Sequence, residues 1–182
     1  MPEPTTNHAA PETTPEGSTS PSDQPVRGAE EEIAPVAQST ERTQNTAVLF
    51  VCVKNGGKSQ MAAGLLRQDL AAAGLEGAVV VSSAGTQPGS KVNALAAEVL
   101  AEVGADIAGE TPTQLTPEAM REAGHVVILG PEAQVEPLEG VKIERWELDE
   151  PSARGIEGRE RMELVRDDIH LRVRELRERL LG

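Results

Sequence analysis

Five consecutive apolar positions, Val48 to Cys52, stand out from their mixed surroundings, and the run Val48–Val53 predicts a short strand buried on both faces. A Gly56-Gly57 turn follows, and Ser59 opens an Ala- and Leu-rich helical stretch that ends near Ala73, before Gly74. The alternation then repeats. Ala78–Ser83 predicts a second strand, and apolar positions at helical spacing predict a helix from Asn93, a good N-cap, to Val103. Thr116-Pro117-Glu118 puts a capping hydroxyl ahead of a proline at the first helical position, opening a short helix to Ala123. His125–Leu129 and Val141–Trp146 predict two further strands. The last helix is expected from Gly158 to Leu181, where Met162, Val165, Ile169, Val173, Leu176 and Leu180 form an apolar stripe between charges. One helix laying that stripe on a sheet is the expectation; a heptad-like dimerising seam is the competing reading. Strands joined by helices make the fold class α/β, with a parallel sheet, helices on both faces and the functional loop at a strand's carboxyl end.

Composition separates the first 45 residues from the rest. They hold seven of the 13 prolines, no aromatic residue, eight acidic and two basic side chains, a charge of −6 out of the total −13. So little apolar surface cannot offset chain entropy, so 1–45 is expected to be a disordered Pro/Glu/Ser/Thr-rich tail and 46–182 the folded domain. The opening residues have neither the basic nor the apolar segment of a signal peptide. No apolar run approaches the roughly 18 residues of a membrane span. The acidic balance disfavours nonspecific nucleic-acid binding. A single cysteine leaves no internal disulfide and fits a reducing cytoplasm. His8, His125 and His170 have no cysteine partners at ligand spacing, so no metal is expected. A monomer is the default.

Cys52 concentrates the chemistry. At the end of a strand and before a helix it faces backbone N–H groups and a positive helix end, surroundings that favour a thiolate and bind a tetrahedral oxyanion. The plain alternative is a small apolar residue at a strand end. A nucleotide-binding phosphate loop fits Gly57, Lys58 and Ser59, but Cys52 replaces its first glycine. Neither Val79–Val81 nor Val126–Leu129 ends in the aspartate that would hold Mg²⁺. The third reading is a phosphatase-type loop: Cys, five residues, a cation, Ser.

The segment V-C-V-K-N-G-G-K-S resembles the loop of the low-molecular-weight protein tyrosine phosphatase superfamily, and Ser59-Gln60-Met61-Ala62-Ala63-Gly64 is more similar to its arsenate reductase branch. Further matches follow in order: Val81-Ser82-Ser83-Ala84-Gly85-Thr86, Val92-Asn93 with 96–104, Val126–Gly130, and Trp146 to Pro151. They span about Thr46 to Leu181. The resemblance implies a three-layer fold with strand order 2-1-3-4. It makes Cys52 the nucleophile, with the oxyanion held by the N–H groups of Val53, Lys54, Asn55, Gly56, Gly57, Lys58 and Ser59 and by the Lys58 charge. It also implies that Ser59 hydrogen-bonds the sulfur and that Asn55 adopts a left-handed conformation supported by Ser83. Glu150 or Asp149 would be the general acid, a task that needs a raised pKa.

Two departures bear on turnover. Lys58 stands where the family has Arg, and a point charge replaces a planar two-oxygen fork. In W-E-L-D-E-P the residue directly before the proline is Glu150, with Asp149 one place earlier. Three outcomes follow. As an arsenate reductase, the leading expectation, the chain has no spare cysteine and needs an external thiol: mycothiol, glutathione or a redoxin. As a phosphatase it would hydrolyse monoesters through a phosphocysteine, yet it has no Tyr, one Phe and one Trp for aromatic walls. As a degenerate member it would bind phosphate or arsenate without turnover, because Lys58 lacks the fork.

Overall fold

A computed structural model describes residues 45–182. The expected tail, Asn45 apart, lies outside the described residues. Four parallel strands form one sheet in the order β2-β1-β3-β4: β1 Thr46–Cys52, β2 Val79–Gly85, β3 His125–Leu129 and β4 Lys142–Trp146. Helices α1 (Lys58–Ala72), α2 (Ala94–Ala101), α3 (Pro117–Ala123) and α4 (Gly158–Leu181) connect or follow them. The α/β class and the 2-1-3-4 order are both as expected. One element was not foreseen: a 3₁₀ turn over Pro151–Arg154, just before α4.

Strand β1 is central, and its alternate side chains build two cores. Val48 and Phe50 join Leu65, Leu66, Leu100, Ile169 and Leu176 on the face covered by α1, α2 and α4. Leu49 and Val51 join Met120, Val126 and Ile128 on the α3 face. Phe50 and Trp146 meet with centroids 5.8 Å apart, tilted by 58°. Such a pair adds about 0.5–1.5 kcal/mol beyond its buried area.

Caps explain where helices start. The Asn93 side chain accepts from the Ala96 N–H at 3.0 Å, and Thr116 does the same for Ala119 at 3.1 Å with Pro117 at the first helical position. The α4 stripe is buried at Val165, Ile169, Val173 and Leu176, with Met162 and Leu180 half-buried against the same core. Those side chains therefore belong to the fold, and the coiled-coil reading of them is withdrawn. Among the described residues no helix is long and apolar enough to cross a membrane.

Candidate active site

The loop after β1 takes its shape from the segment that follows β2. N–H groups of Thr86, Gln87, Gly89 and Asn93 donate to the carbonyls of Cys52, Val53, Lys54 and Gly56 at 3.1, 2.8, 2.9 and 2.7 Å. In a trans peptide the N–H points opposite to its C=O. With four carbonyls drawn to one side, the amides of Val53, Lys54, Asn55 and Gly57 turn to the other. The Asn55 N–H shows the result, reaching the Cys52 sulfur at 3.2 Å. Close approach is possible because Gly85 has no side chain: a Cβ there would sit 2.6 Å from the Val53 oxygen and 3.0 Å from the Asn55 nitrogen. Helix α1 begins at Lys58 with no side-chain cap at Gly57, so its first N–H groups also face the loop's interior.

Asn55 has φ of +49°, the one non-glycine residue with positive φ among those described. Asparagine tolerates this left-handed geometry better than most residues. Its buried carboxamide is anchored at both ends. Asn55 Oδ1 accepts from the Thr113 backbone N–H at 2.9 Å and from Gln60 Nε2 at 3.3 Å, while Nδ2 donates to Ser59 Oγ at 2.8 Å. The Ser59 hydroxyl lies 2.9 Å from the Cys52 sulfur. The expected support from Ser83 is not what holds Asn55. Ser83 pairs with Phe50 in the sheet, and the bonds come instead from Thr113, Gln60 and Ser59. A backbone amide from the distant 102–116 connection leaves no trace in local sequence, which is why Thr113 went unnoticed.

Thr113 also settles proton directions. A backbone N–H can only donate, so the Asn55 end facing it is the oxygen and the end facing Ser59 is the NH₂. Ser59 Oγ therefore accepts from Asn55, and its own hydrogen is free to point at the sulfur. With its hydrogen so turned, Ser59 joins the Asn55 N–H as a second donor to the sulfur.

Cys52, Val53, Lys54, Gly57, Lys58, Leu129 and Glu132 line a cavity of ≈ 400 Å³ at the strand's carboxyl end. Glu132 was not singled out from sequence. Lys58 Nζ lies 3.5 Å from Glu150 Oε2. The other Glu150 oxygen accepts from Arg161 Nε at 2.8 Å and Ser152 Oγ at 2.9 Å. Asp149 turns away: Arg154 grips it through two bonds of 2.6 and 2.9 Å at the exposed surface. Of the two acid candidates, the fold thus brings Glu150 to the loop.

Neither carboxyl is tuned as an acid in this state. Hydrogen bonding from Arg161, reinforced by Ser152 and the Lys58 charge against the opposing effect of burial, holds Glu150 down at about 2. Arg154 likewise keeps Asp149 below its ordinary value. The expected raised pKa is overturned, because three donors surround Glu150 in place of an apolar wall.

A parallel sheet ordered 2-1-3-4, with a cysteine at the end of its central strand inside a loop of inward amides, defines the class by fold and site geometry. The family model for low molecular weight phosphotyrosine protein phosphatase matches residues 47–181, and the chain belongs to that family. It is 31% identical over 127 residues to the "Putative arsenate reductase" of Halobacterium salinarum, covering 70% of this chain and 87% of that protein. A thioredoxin-dependent arsenate reductase of Corynebacterium glutamicum superposes with a TM-score of 0.60 at 30% identity, over 74% of this chain and 61% of that one. A low molecular weight protein tyrosine phosphatase of T. tengcongensis superposes with a TM-score of 0.64 at 24% identity, over 74% and 99% of the two chains, and shares the fold. The family's members in these comparisons, reductases and phosphatases alike, are enzymes.

Proposed function

We propose that this protein reduces arsenate, with Cys52 as the attacking sulfur and an external thiol completing the electron transfer. One observation carries the choice of substrate. The two aromatic side chains of the sequence, Phe50 and Trp146, are buried against each other in the core, so the cavity walls are aliphatic and charged. A phosphotyrosyl ring would find no aromatic partner there. A bare oxyanion needs none, because inward amides and Lys58 answer its charge.

The chemistry balances without a protein acid. A Cys52 thiolate attacks the arsenate monoanion; the S–As bond forms, one As–O bond breaks, and that oxygen leaves as water with the two protons the substrate brought. A thiol then attacks the Cys52 sulfur, the S–As electron pair passes to arsenic, and arsenite leaves behind a mixed disulfide. A second thiol restores Cys52. With one cysteine in the sequence, both thiols come from outside. The thioredoxin dependence named for the Corynebacterium relative supports a redoxin, and a small thiol such as mycothiol or glutathione fits the same chemistry. Glu150 near Lys58, the amides of Val53 to Ser59, and Asn55 with Ser59 behind the sulfur are the residues assigned to this work.

Monoester hydrolysis is the second reading, favoured by the ≈ 400 Å³ cavity, which exceeds the volume of an oxyanion alone. An arsenate and an aryl-phosphate assay run side by side, with and without added thiol or redoxin, separates them. Thiol-dependent arsenite formation that is lost in Cys52→Ala supports reduction. Aryl-phosphate turnover indifferent to thiol, with no arsenite, would replace it with hydrolysis. Binding of both anions with turnover of neither would make the chain an oxyanion binder.

A further inference from the structure

Glu150 occupies the position at which this family's resemblance places an acid, yet every side chain around it donates. Oε1 accepts from Arg161 Nε and Ser152 Oγ at 2.8 and 2.9 Å, and Oε2 faces Lys58 Nζ at 3.5 Å. The Arg161 and Lys58 cations favour the ionised carboxyl, and Arg161 Nε has no lone pair to accept a proton from it. Arg161 makes the shortest of the bonds and is the one cation in the group that lies outside the loop, in the first turn of α4. The turn over Pro151–Arg154, which Glu150 caps, brings the two elements together: the Ala153 N–H donates to the Glu150 carbonyl at 3.0 Å. Backbone and side chain of Glu150 are both fixed.

We propose that Arg161 is a specificity-determining positioning residue: with Ser152 and Lys58 it encloses Glu150 in donors, so the carboxyl beside the anion site stays a carboxylate and the site favours oxyanions that carry their own protons over esters that need one. The substrate preference rests on the arsenate reading above; the clamp on Glu150 does not. Proton bookkeeping supplies the link. When sulfur displaces oxygen from the arsenate monoanion, the leaving oxygen departs as water with the substrate's own protons. When sulfur attacks a phosphate monoester dianion, the S–P bond forms, the P–O bond to carbon's oxygen breaks, and the departing alkoxide or phenoxide needs a proton from elsewhere. A clamped carboxylate has none to give. A general acid contributes roughly 10²–10⁴-fold to such steps, so withholding it discriminates strongly between the two substrates. The depressed pKa of Glu150 agrees with this geometry.

The test uses the full chain with Arg161→Met and Arg161→Lys, each checked for an unchanged melting transition. The first readout is the ¹³C NMR titration of the Glu150 carboxyl. It should stay ionised through the ordinary carboxylate range in the wild type, move up into that range in Arg161→Met, and return toward wild type in Arg161→Lys. The second is aryl-phosphate turnover against pH, with arsenate reduction measured alongside. In Arg161→Met the aryl-phosphate to arsenate ratio near pH 5 should rise about tenfold, with a new acid limb, and Arg161→Met placed on a Glu150→Gln background should show no such rise. Ordinary titration of Glu150 in the wild type would overturn the clamp. A shifted Glu150 with an unchanged ratio and pH profile would overturn the specificity role. A wild type that makes no arsenite would defeat the arsenate reading and the substrate preference that rests on it, while the titration and the aryl-phosphate profile would still decide the clamp.

Discussion

The Thr113 backbone N–H donates to Asn55 Oδ1 at 2.9 Å, and that single bond decides which end of the Asn55 carboxamide faces Ser59. The consequence reaches the sulfur two bonds away, because Ser59 accepts from Asn55 Nδ2 and can then donate to Cys52. Asn55→Asp tests the order. Aspartate has nearly the same shape and also tolerates positive φ, but it offers Ser59 an acceptor. The hydroxyl should then turn toward the introduced carboxylate and away from Cys52. Alkylation of Cys52 at pH 7 should slow by about tenfold, as expected for loss of one charge-assisted hydrogen bond, and arsenate turnover should fall at least as far. An unchanged alkylation rate would mean the hydroxyl direction is not set by Asn55.

Lys58→Arg asks what the missing fork is worth. Where a Gly130 Cβ would be, Glu132 Oε2 lies 2.7 Å away and the Lys58 ammonium 3.6 Å away, so a larger head group at position 58 would meet the Glu132 carboxylate. A guanidinium can hold two oxyanion oxygens and keep one N–H for Glu150. Phosphate binding measured by calorimetry should tighten about tenfold, or ~1.4 kcal/mol, with a matching fall in KM for arsenate. Weaker binding would show that Glu150 and Glu132 capture the fork instead.

Gly85→Ala should damage loop and stability together. The added Cβ meets the Val53 oxygen at 2.6 Å and the Asn55 nitrogen and Cβ, both at 3.0 Å, so no flexible side-chain end can yield. Overpacking of this kind costs about 1–3 kcal/mol, read as a lower melting temperature. Anion affinity should drop as well, because the displaced peptides are those whose amides face the cavity. A stable variant with normal phosphate binding would mean that the loop and β2 separate easily.

Much of this architecture was legible in the chain. Strand β1 announced itself as an unbroken apolar run because both of its faces are buried, and the Asn93 and Thr116 caps marked helix starts by side-chain chemistry that acts locally. The cysteine and its Gly-Gly loop were legible for the same reason, whereas the Asn55 conformation came only from the family resemblance. What stayed hidden acts across long sequence separations. Thr113 lies 58 residues from Asn55, and Arg161 lies 11 residues beyond Glu150 on a separate element. Neither has a neighbouring pattern to mark it. The Asp149-Glu150 ambiguity was of that kind too: only the positions of Arg154 and Arg161 show which carboxyl faces outward and which faces the loop.

The edge strand β4 provides a prediction about pH and stability. Glu144 on β4 accepts from Trp146 Nε1 at 2.7 Å, from Arg179 at 2.9 and 3.1 Å, and lies 3.0 Å from His125 Nε2. Burial alone pushes this carboxyl up, but Arg179 first, then Trp146 and His125, outweigh it and hold the group at about 2, below its ordinary 4.5. A carboxyl lowered by folding stabilises the native state above its unfolded pKa, and that contribution is lost as pH falls through the folded one. The loss should therefore run from about 4.5 down to about 2. Arg179→Ala should raise the Glu144 pKa and narrow this window from its acid side. It should also lower stability at pH 7 by about 1–2 kcal/mol, since it leaves a mostly buried carboxylate with fewer partners. Denaturant unfolding followed by Trp146 fluorescence reads both, as the indole N–H is bonded to the carboxylate in question. Equal acid sensitivity in wild type and Arg179→Ala would show that the C-terminal end of α4 does not pin β4 through this group.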